Sequence, residues 1–264
     1  MLPSKREPMP RVRYIAILSD EPRALASYYR STFGMRDLGE SATGDMSITD
    51  GFINLTIFKI RGDLGEARME PGLHHLGIEV DSLEQTKARF RRHNPRGVMV
   101  PEMPGIHYGD LRLYDPESIP VSLSRQSFGM TQIKQGLPRI GHVGFDVLDP
   151  DAMADFYSAV FGFNPSPSRA AGTTERPDRT ANDGSVNLEF HCYFGNRAAH
   201  QPRYGFNHLG LLVDDAAQAA ERIPGAVRLS TGNAYAAQDP DGNQLRIVQA
   251  SGSSADLECW SRVA

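Results

Sequence analysis

The chain has 264 residues, with 32 acidic side chains against 28 Lys and Arg and a formal net charge of −4, so it is long enough for two domains and lacks the basic footprint that nucleic acid or an anionic membrane would require. Its two cysteines, Cys192 and Cys259, lie far apart, which argues against a disulfide framework or a zinc knuckle and fits a reducing cytoplasm. The polar, proline-containing start and the absence of any apolar run approaching about 20 residues give the expectation of a soluble, cytoplasmic protein without signal peptide or membrane span.

Taken in order, RYIAILS is a short apolar run rich in β-branched residues, as a half-buried strand should be. Leu25, Tyr28, Tyr29 and Phe33 then recur at helical spacing and stop at Gly34, a helix C-cap residue. INLTIFKI reads as a strand after a D-G turn, HHLGIEV opens a second unit, SLEQTKARFRRH is its helix, and DLRLYD and VSLSR are further strands. The basic cluster Lys87, Arg89, Arg91, Arg92 and His93 belongs to a solvated helix face. Residues 126–138 (QSFGMTQIKQGLP) are polar with weak periodicity and are assigned as an interdomain linker. GHVGFDV, a helix built on Met153, Phe156, Tyr157 and Phe161 and ended by Gly162, VNLEFHCYF, NHLGLLV, the helix DAAQAAERI, and QLRIVQ repeat the same order. A tail, 251–264, carries Leu257 and Trp260, which are expected to dock on a neighbouring surface.

The repetition extends to individual residues. YIAILSDEPRALASYYRSTFGM from Tyr14 aligns without gaps on HVGFDVLDPDAMADFYSAVFGF from His142, superposing Pro22 on Pro150, Tyr29 on Tyr157, Phe33 on Phe161 and Gly34 on Gly162. DGFINLTIF and DGSVNLEFH share D-G-x-x-N-L, HLGIEVDS pairs with HLGLLVDD, and YDPESIPVSL pairs with QDPDGNQLRI. The predicted fold is α+β, built from four βαβββ modules in two tandem domains, 11–125 and 139–250.

Modules that open with H-[VL]-G-[FIL]-x-V and close with D-P-D-G-N-x-[LI] resemble the vicinal-oxygen-chelate superfamily of glyoxalases, bleomycin-resistance proteins and extradiol dioxygenases. Four modules in one chain most resemble the extradiol catechol dioxygenases. The resemblance implies that paired modules close into a cup with four inward positions able to hold a divalent metal. Carried onto this chain, those positions are His142, Glu189, His208 and Arg246 in the second domain and Tyr14, Thr56, His75 and Ser122 in the first. The first domain is therefore expected to be a metal-free half with a structural or oligomerising role in a homo-oligomer, and His75 a structural residue.

Extradiol enzymes supply their carboxylate from the last strand, where this chain has Arg246, and a guanidinium cannot ligate a metal. The approximate twofold axis within the second domain exchanges positions 189 and 246, so His142, Glu189 and His208 form the equivalent set. Two histidines and a carboxylate suit Fe(II) first, and also Mn(II) or another divalent ion. Glu189 can equally be read as the ion-pair partner of Arg246, and Arg246 as the recognition group for an anionic substrate. His191, two residues beyond Glu189 on one strand, shares its face and is a candidate acid–base catalyst. Tyr235 lies near a substrate-contacting tyrosine of the family, one residue out of register. Three functions follow from the resemblance: extradiol cleavage of a catecholic compound, isomerase, epimerase or lyase chemistry of the glyoxalase type, and non-catalytic small-molecule binding with a Glu189–Arg246 pair in place of metal.

Overall fold

The computed structural model describes residues 10–61, 70–102, 109–130, 136–167, 178–193, 205–229 and 233–250. In the first half, β1 (Arg11–Ser19), α1 (Pro22–Phe33), β2 (Arg36–Glu40), β3 (Met46–Thr49), β4 (Asn54–Lys59), β5 (Gly72–Glu79), α2 (Leu83–His93), β6 (Met99–Pro101), β7 (Leu111–Tyr114) and β8 (Pro120–Ser124) follow one another. The second half repeats them as β9 (Arg139–Val147), α3 (Pro150–Phe161), β10 (Asn164–Pro167), β11 (Arg179–Asn182), β12 (Asn187–Cys192), β13 (Gly205–Val213), α4 (Ala216–Glu221), β14 (Val227–Arg228), β15 (Ala234–Gln238) and β16 (Gln244–Gln249). Each half is one eight-stranded sheet, ordered β2-β3-β4-β1-β5-β8-β7-β6 and β10-β11-β12-β9-β13-β16-β15-β14. Four βαβββ modules thus pair into two tandem sheets, as the repeat predicts.

Helix boundaries follow local chemistry. Pro22 and Pro150 occupy the first turns of α1 and α3, where no backbone N–H is needed, and Gly34 and Gly162 end those helices at φ 65° and 75°. Ser82 caps α2 by accepting from the Gln85 N–H, and Asp215 caps α4 by accepting from the Gln218 N–H. Alternate strand residues face opposite ways, so Val143, Phe145 and Val147 of β9 join an apolar cluster that runs continuously through both halves. Among the described residues, no helix is long and apolar enough to cross a membrane.

The duplicated turns of the repeat act across the domain boundary in matched pairs. Asp183 accepts from the backbone N–H of Val12, and Asp50 from that of Ile140, both at 2.7 Å. Tyr29 donates to Asp239 at 2.9 Å, and Tyr157 to Asp115 at 3.3 Å. Asp115 also accepts from Glu117 and Ile119 within its own turn, so one carboxylate both builds a turn and receives the other domain's tyrosine.

Burial pushes the Asp115 carboxyl up to about 7, against the lowering effect of its hydrogen bonds to Ile119, Glu117 and Tyr157. A raised folded-state value means the native protein binds the extra proton, so stability is present at low pH and is lost as pH rises from about 4 through about 7. At about 1.4 kcal/mol per unit, the loss amounts to about 2–4 kcal/mol. Asp115→Asn keeps an acceptor oxygen for the turn and removes the titration. Asp50, Asp183 and Asp239 are also buried and raised and keep a pH dependence in both proteins, so urea unfolding at several pH values should show a steeper fall in stability in the parent than in Asp115→Asn; equal slopes would remove this assignment.

The expected linker departs from expectation at its start. Ser127–Gly129 forms a single 3₁₀ turn whose Phe128 ring is fully buried in the first domain, stacked on Tyr14 at 4.8 Å. Asn54 donates to the Phe128 carbonyl, and Ser127 hydrogen-bonds Glu79. The segment therefore belongs to the first domain, because one aromatic side chain in it has an apolar place to go. Residues 131–135 and the 251–264 tail lie outside the described residues.

Candidate metal centre

The inner face of the second sheet is organised by two H-x-G triplets on its central antiparallel strands. In register, His142 of β9 stands opposite Gly210, and His208 of β13 stands opposite Gly144. Each histidine therefore projects over a position with no side chain on the other strand. Gly144 is required there, because an added Cβ would lie 2.3 Å from the His208 ring. The two rings stack with centroids 4.8 Å apart.

Glu189 reaches the same place from β12, where it is in register with Gly144. His142, Glu189 and His208, all buried, each offer a ligand atom within 4.8 Å of the others. His142 Nε2 is 3.2 Å from Glu189 Oε2, and His191 Nε2 is 3.3 Å from the same oxygen. Burial opposes ionisation of Glu189, but the charge of His191 and the contact with His142 outweigh it and hold the carboxyl below its ordinary value. Burial, only partly offset by Glu189, pushes His142 below its ordinary value, which favours the neutral imidazole that metal ligation needs.

Each ligand-type histidine is held from behind. Asn207 Oδ1 lies 2.8 Å from His208 Nδ1, and Asn207 in turn donates to Asp146 at 2.6 Å. An amide oxygen only accepts, so His208 carries a proton on Nδ1, and Nε2 is the nitrogen left to serve as a ligand. On His142 the direction is reversed: the Asn187 NH2, from the asparagine of the repeated D-G-x-x-N-L, donates to Nδ1 at 3.3 Å. Outer groups of this kind fix ligand orientation at metal sites. Neither asparagine was singled out from the sequence, although the repeated Asn54 and Asn187 offered a signal.

The residues fit a divalent cation on one direct observation. Glu189 Oε1 is buried and has no hydrogen-bond partner, an arrangement that costs about 1–3 kcal/mol or more for a charged group unless a cation faces it.

His191 lies on the Glu189 face, buried, as alternation along β12 predicts. Its Nδ1 is 3.0 Å from Asp178 Oδ2. Asp178 escaped the sequence reading because it immediately precedes β11, a short polar strand without apolar alternation. Arg246 lies in register with Gly210 on the opposite flank from Glu189, half-buried, and its charge acts on His142. The groups paired with Glu189 are His142 and His191, so the closed Glu189–Arg246 pair considered above does not form. The two central strands, β9 and β13, lie between the strands that carry them.

Tyr235 is not brought to the centre. It pairs with Ile247 on β16, and directly paired residues share a sheet face, so Tyr235 packs on the apolar core while Arg246 and Ala236 face the other way. The one-residue register difference decides it.

In the first domain, Tyr14 stands opposite Gly77 and His75 opposite Ala16, the same diagonal pattern. Tyr14, Phe128 and Ala16 form an apolar cluster there, and burial raises the Tyr14 hydroxyl well above its ordinary value. Both converging groups of ligand-type residues found among the described residues lie in the second domain.

Residues 142–248 match the family model of the glyoxalase-like domain. No curated protein matches the chain significantly by sequence. Among solved structures, the 2,3-dioxygenase LapB from Pseudomonas sp. KL28 superposes with a TM-score of 0.67 at 13% identity, covering 91% of this chain and 92% of that one. The Mn(II)-bound glyoxalase from Novosphingobium aromaticivorans gives 0.66 at 16% identity over 92% and 83% of the two chains. A mutant 4-hydroxymandelate synthase from Streptomyces coelicolor gives 0.66 at 16% identity over 97% and 99%. The chain thus shares the tandem fold of these solved structures, and its residues 142–248 are similar to the glyoxalase-like domain, as a member of the vicinal-oxygen-chelate superfamily would be.

Proposed function

We propose that the second domain is a metal-dependent catalytic domain acting on a small substrate that chelates through two oxygens, with extradiol cleavage of a catecholic ring as its reaction. The observation that carries this reading is the buried Glu189 carboxylate, with one oxygen unpartnered, converging with His142 and His208. The four-module layout shared with the 2,3-dioxygenase LapB supports the choice of reaction. In this reading His142, Glu189 and His208 would hold Fe(II), with Mn(II) as the alternative, and the cation would supply Lewis acidity toward a substrate that binds through two oxygens.

The chain's own residues supply the rest. Asn187 and Asn207 hold the two imidazoles in their orientations. His191 presents Nε2 beside the carboxylate, where it can take a proton from a substrate hydroxyl. Arg246, on the opposite flank, offers a planar fork to an anionic substrate group. Arg246→Ala is then expected to leave bound metal unchanged, raise KM about 10–100-fold and change kcat by a smaller factor. Metal analysis with steady-state oxygen uptake on catechols checks this; loss of metal in Arg246→Ala would place the arginine in the centre itself.

A second reading, isomerisation of the glyoxalase kind, is favoured by the carboxylate's place on β12 and by the match of residues 142–248 to the glyoxalase-like model. Oxygen uptake separates the two: ring cleavage consumes one O2 per turnover, and isomerisation none.

A further inference from the structure

We infer that Asp178 is a positioning residue that fixes the ring of His191, so that Nε2 is the nitrogen turned to Glu189 and the centre. The inference rests on the metal-centre reading for its consequence but on geometry for its substance. Asp178 uses both carboxylate oxygens on consecutive residues of β12. Oδ1 accepts from the Cys192 backbone N–H at 3.0 Å, and Oδ2 lies 3.0 Å from His191 Nδ1. The His191 ring is 2% exposed and bridges two carboxylates, with Asp178 beyond Nδ1 and Glu189 3.3 Å beyond Nε2.

This arrangement also decides what the group Asp178–Glu189–His191 is. Its ligand atoms come within 4.8 Å of one another, as in a second cation site. The two nitrogens of an imidazole point away from each other, however, and here each already faces a different carboxylate. No single ring nitrogen faces both oxygens, so the three residues form a chain running Asp178, His191, Glu189 rather than a cage. The chain ends on the carboxylate that the centre uses, which makes it an outer support of Glu189.

A carboxylate only accepts, so the proton on the Asp178 side must belong to His191 Nδ1. In Asp178→Asn, the residue's oxygen remains on the Cys192 N–H, because turning the amide over would set its NH2 against that donor. The amide NH2 then faces His191 Nδ1 and forces that nitrogen to accept, leaving Nε2, toward Glu189, as the protonated nitrogen. An alternative role, in which Asp178 merely ties the start of β11 to the end of β12, is carried by the Cys192 contact and leaves Nδ1 unchanged.

The test is two-bond ¹H–¹⁵N spectroscopy of histidine-labelled, metal-free protein near neutral pH, comparing the parent with Asp178→Asn and using His191→Gln to assign the signal. The expected result is a protonated Nδ1 in the parent and an unprotonated Nδ1 in Asp178→Asn, with thermal midpoints within a few degrees. The same His191 signal in both, or an unprotonated Nδ1 in the parent, overturns the inference. Mn(II) titration of the same proteins reads the consequence, with an expected loss of affinity of about 10–100-fold in Asp178→Asn. Equal Mn(II) affinities would overturn the support of Glu189. A parent that binds no Mn(II) would instead remove the metal-centre reading, and the Nδ1 comparison would still decide for or against Asp178.

Discussion

Replacing Glu189 with glutamine should lower Mn(II) affinity about a thousandfold or more while leaving the fold intact. Glu189 is the anionic member of the set, buried between two neutral-type ligands, and a glutamine of nearly the same shape removes the charge without opening a cavity. A thousandfold corresponds to about 4 kcal/mol, the scale of one charged interaction in a water-poor setting. Binding to the native state alone stabilises a protein by about 2.7 kcal/mol when the ligand is at a hundred times its dissociation constant. Thermal unfolding with and without Mn(II) is therefore a direct readout. The parent's midpoint should rise with added ion, and that of Glu189→Gln should not. A rise of equal size in both would mean that the ion binds elsewhere.

Phe128→Ala should cost about 3–5 kcal/mol of stability, the range for truncating a large buried aromatic. The ring is fully buried against Tyr14, and the sheet makes room for it at Gly77, where an added Cβ would lie 2.5 Å from Phe128 Cζ and 2.6 Å from Tyr14 Cβ. Its backbone is held at φ 51°, next to Ser127 at 46°, conformations that side-chain-bearing residues adopt only when their surroundings over-determine them. The packing of the ring and the Asn54 hydrogen bond to its carbonyl supply that constraint. Urea unfolding of Phe128→Ala at an unchanged m-value should show the loss. A change below about 1 kcal/mol would mean that the 126–130 segment only rests on the first domain.

The architecture was legible because duplication doubled every signal. Tyr29 and Tyr157, Gly34 and Gly162, and Asp50 and Asp183 recur in order, and the structure gives each pair matched work. The edges were harder to read. β2 is exposed along its whole length and has no buried face to impose alternation, and β10 and β11 are short and polar. Phe128 was hidden in a segment whose composition says linker, since a single aromatic carries no periodicity.

At the centre, His142, Glu189 and His208 were readable because symmetry-related strand positions fall on one face. Tyr235 went to the other face because period-2 alternation turns a one-residue difference into a change of side. Asp178 was unreadable in principle: its role depends on where a strand end meets a histidine 13 residues later. The bonds that Asp50, Asp115, Asp183 and Asp239 make between the halves likewise depend on docking, although the D-G and D-P turns that supply them were visible.

The central claim is that one divalent ion sits among His142, Glu189 and His208. Diffraction from crystals grown with Mn(II), measured for anomalous scattering at the manganese edge, tests it most directly. One strong anomalous peak is expected in the second domain, within roughly 2.0–2.3 Å of a nitrogen of each histidine and an oxygen of Glu189, with Arg246 beside it and unligated. A peak bound instead through Asp178 and His191, or no peak where the three side chains converge, would contradict it.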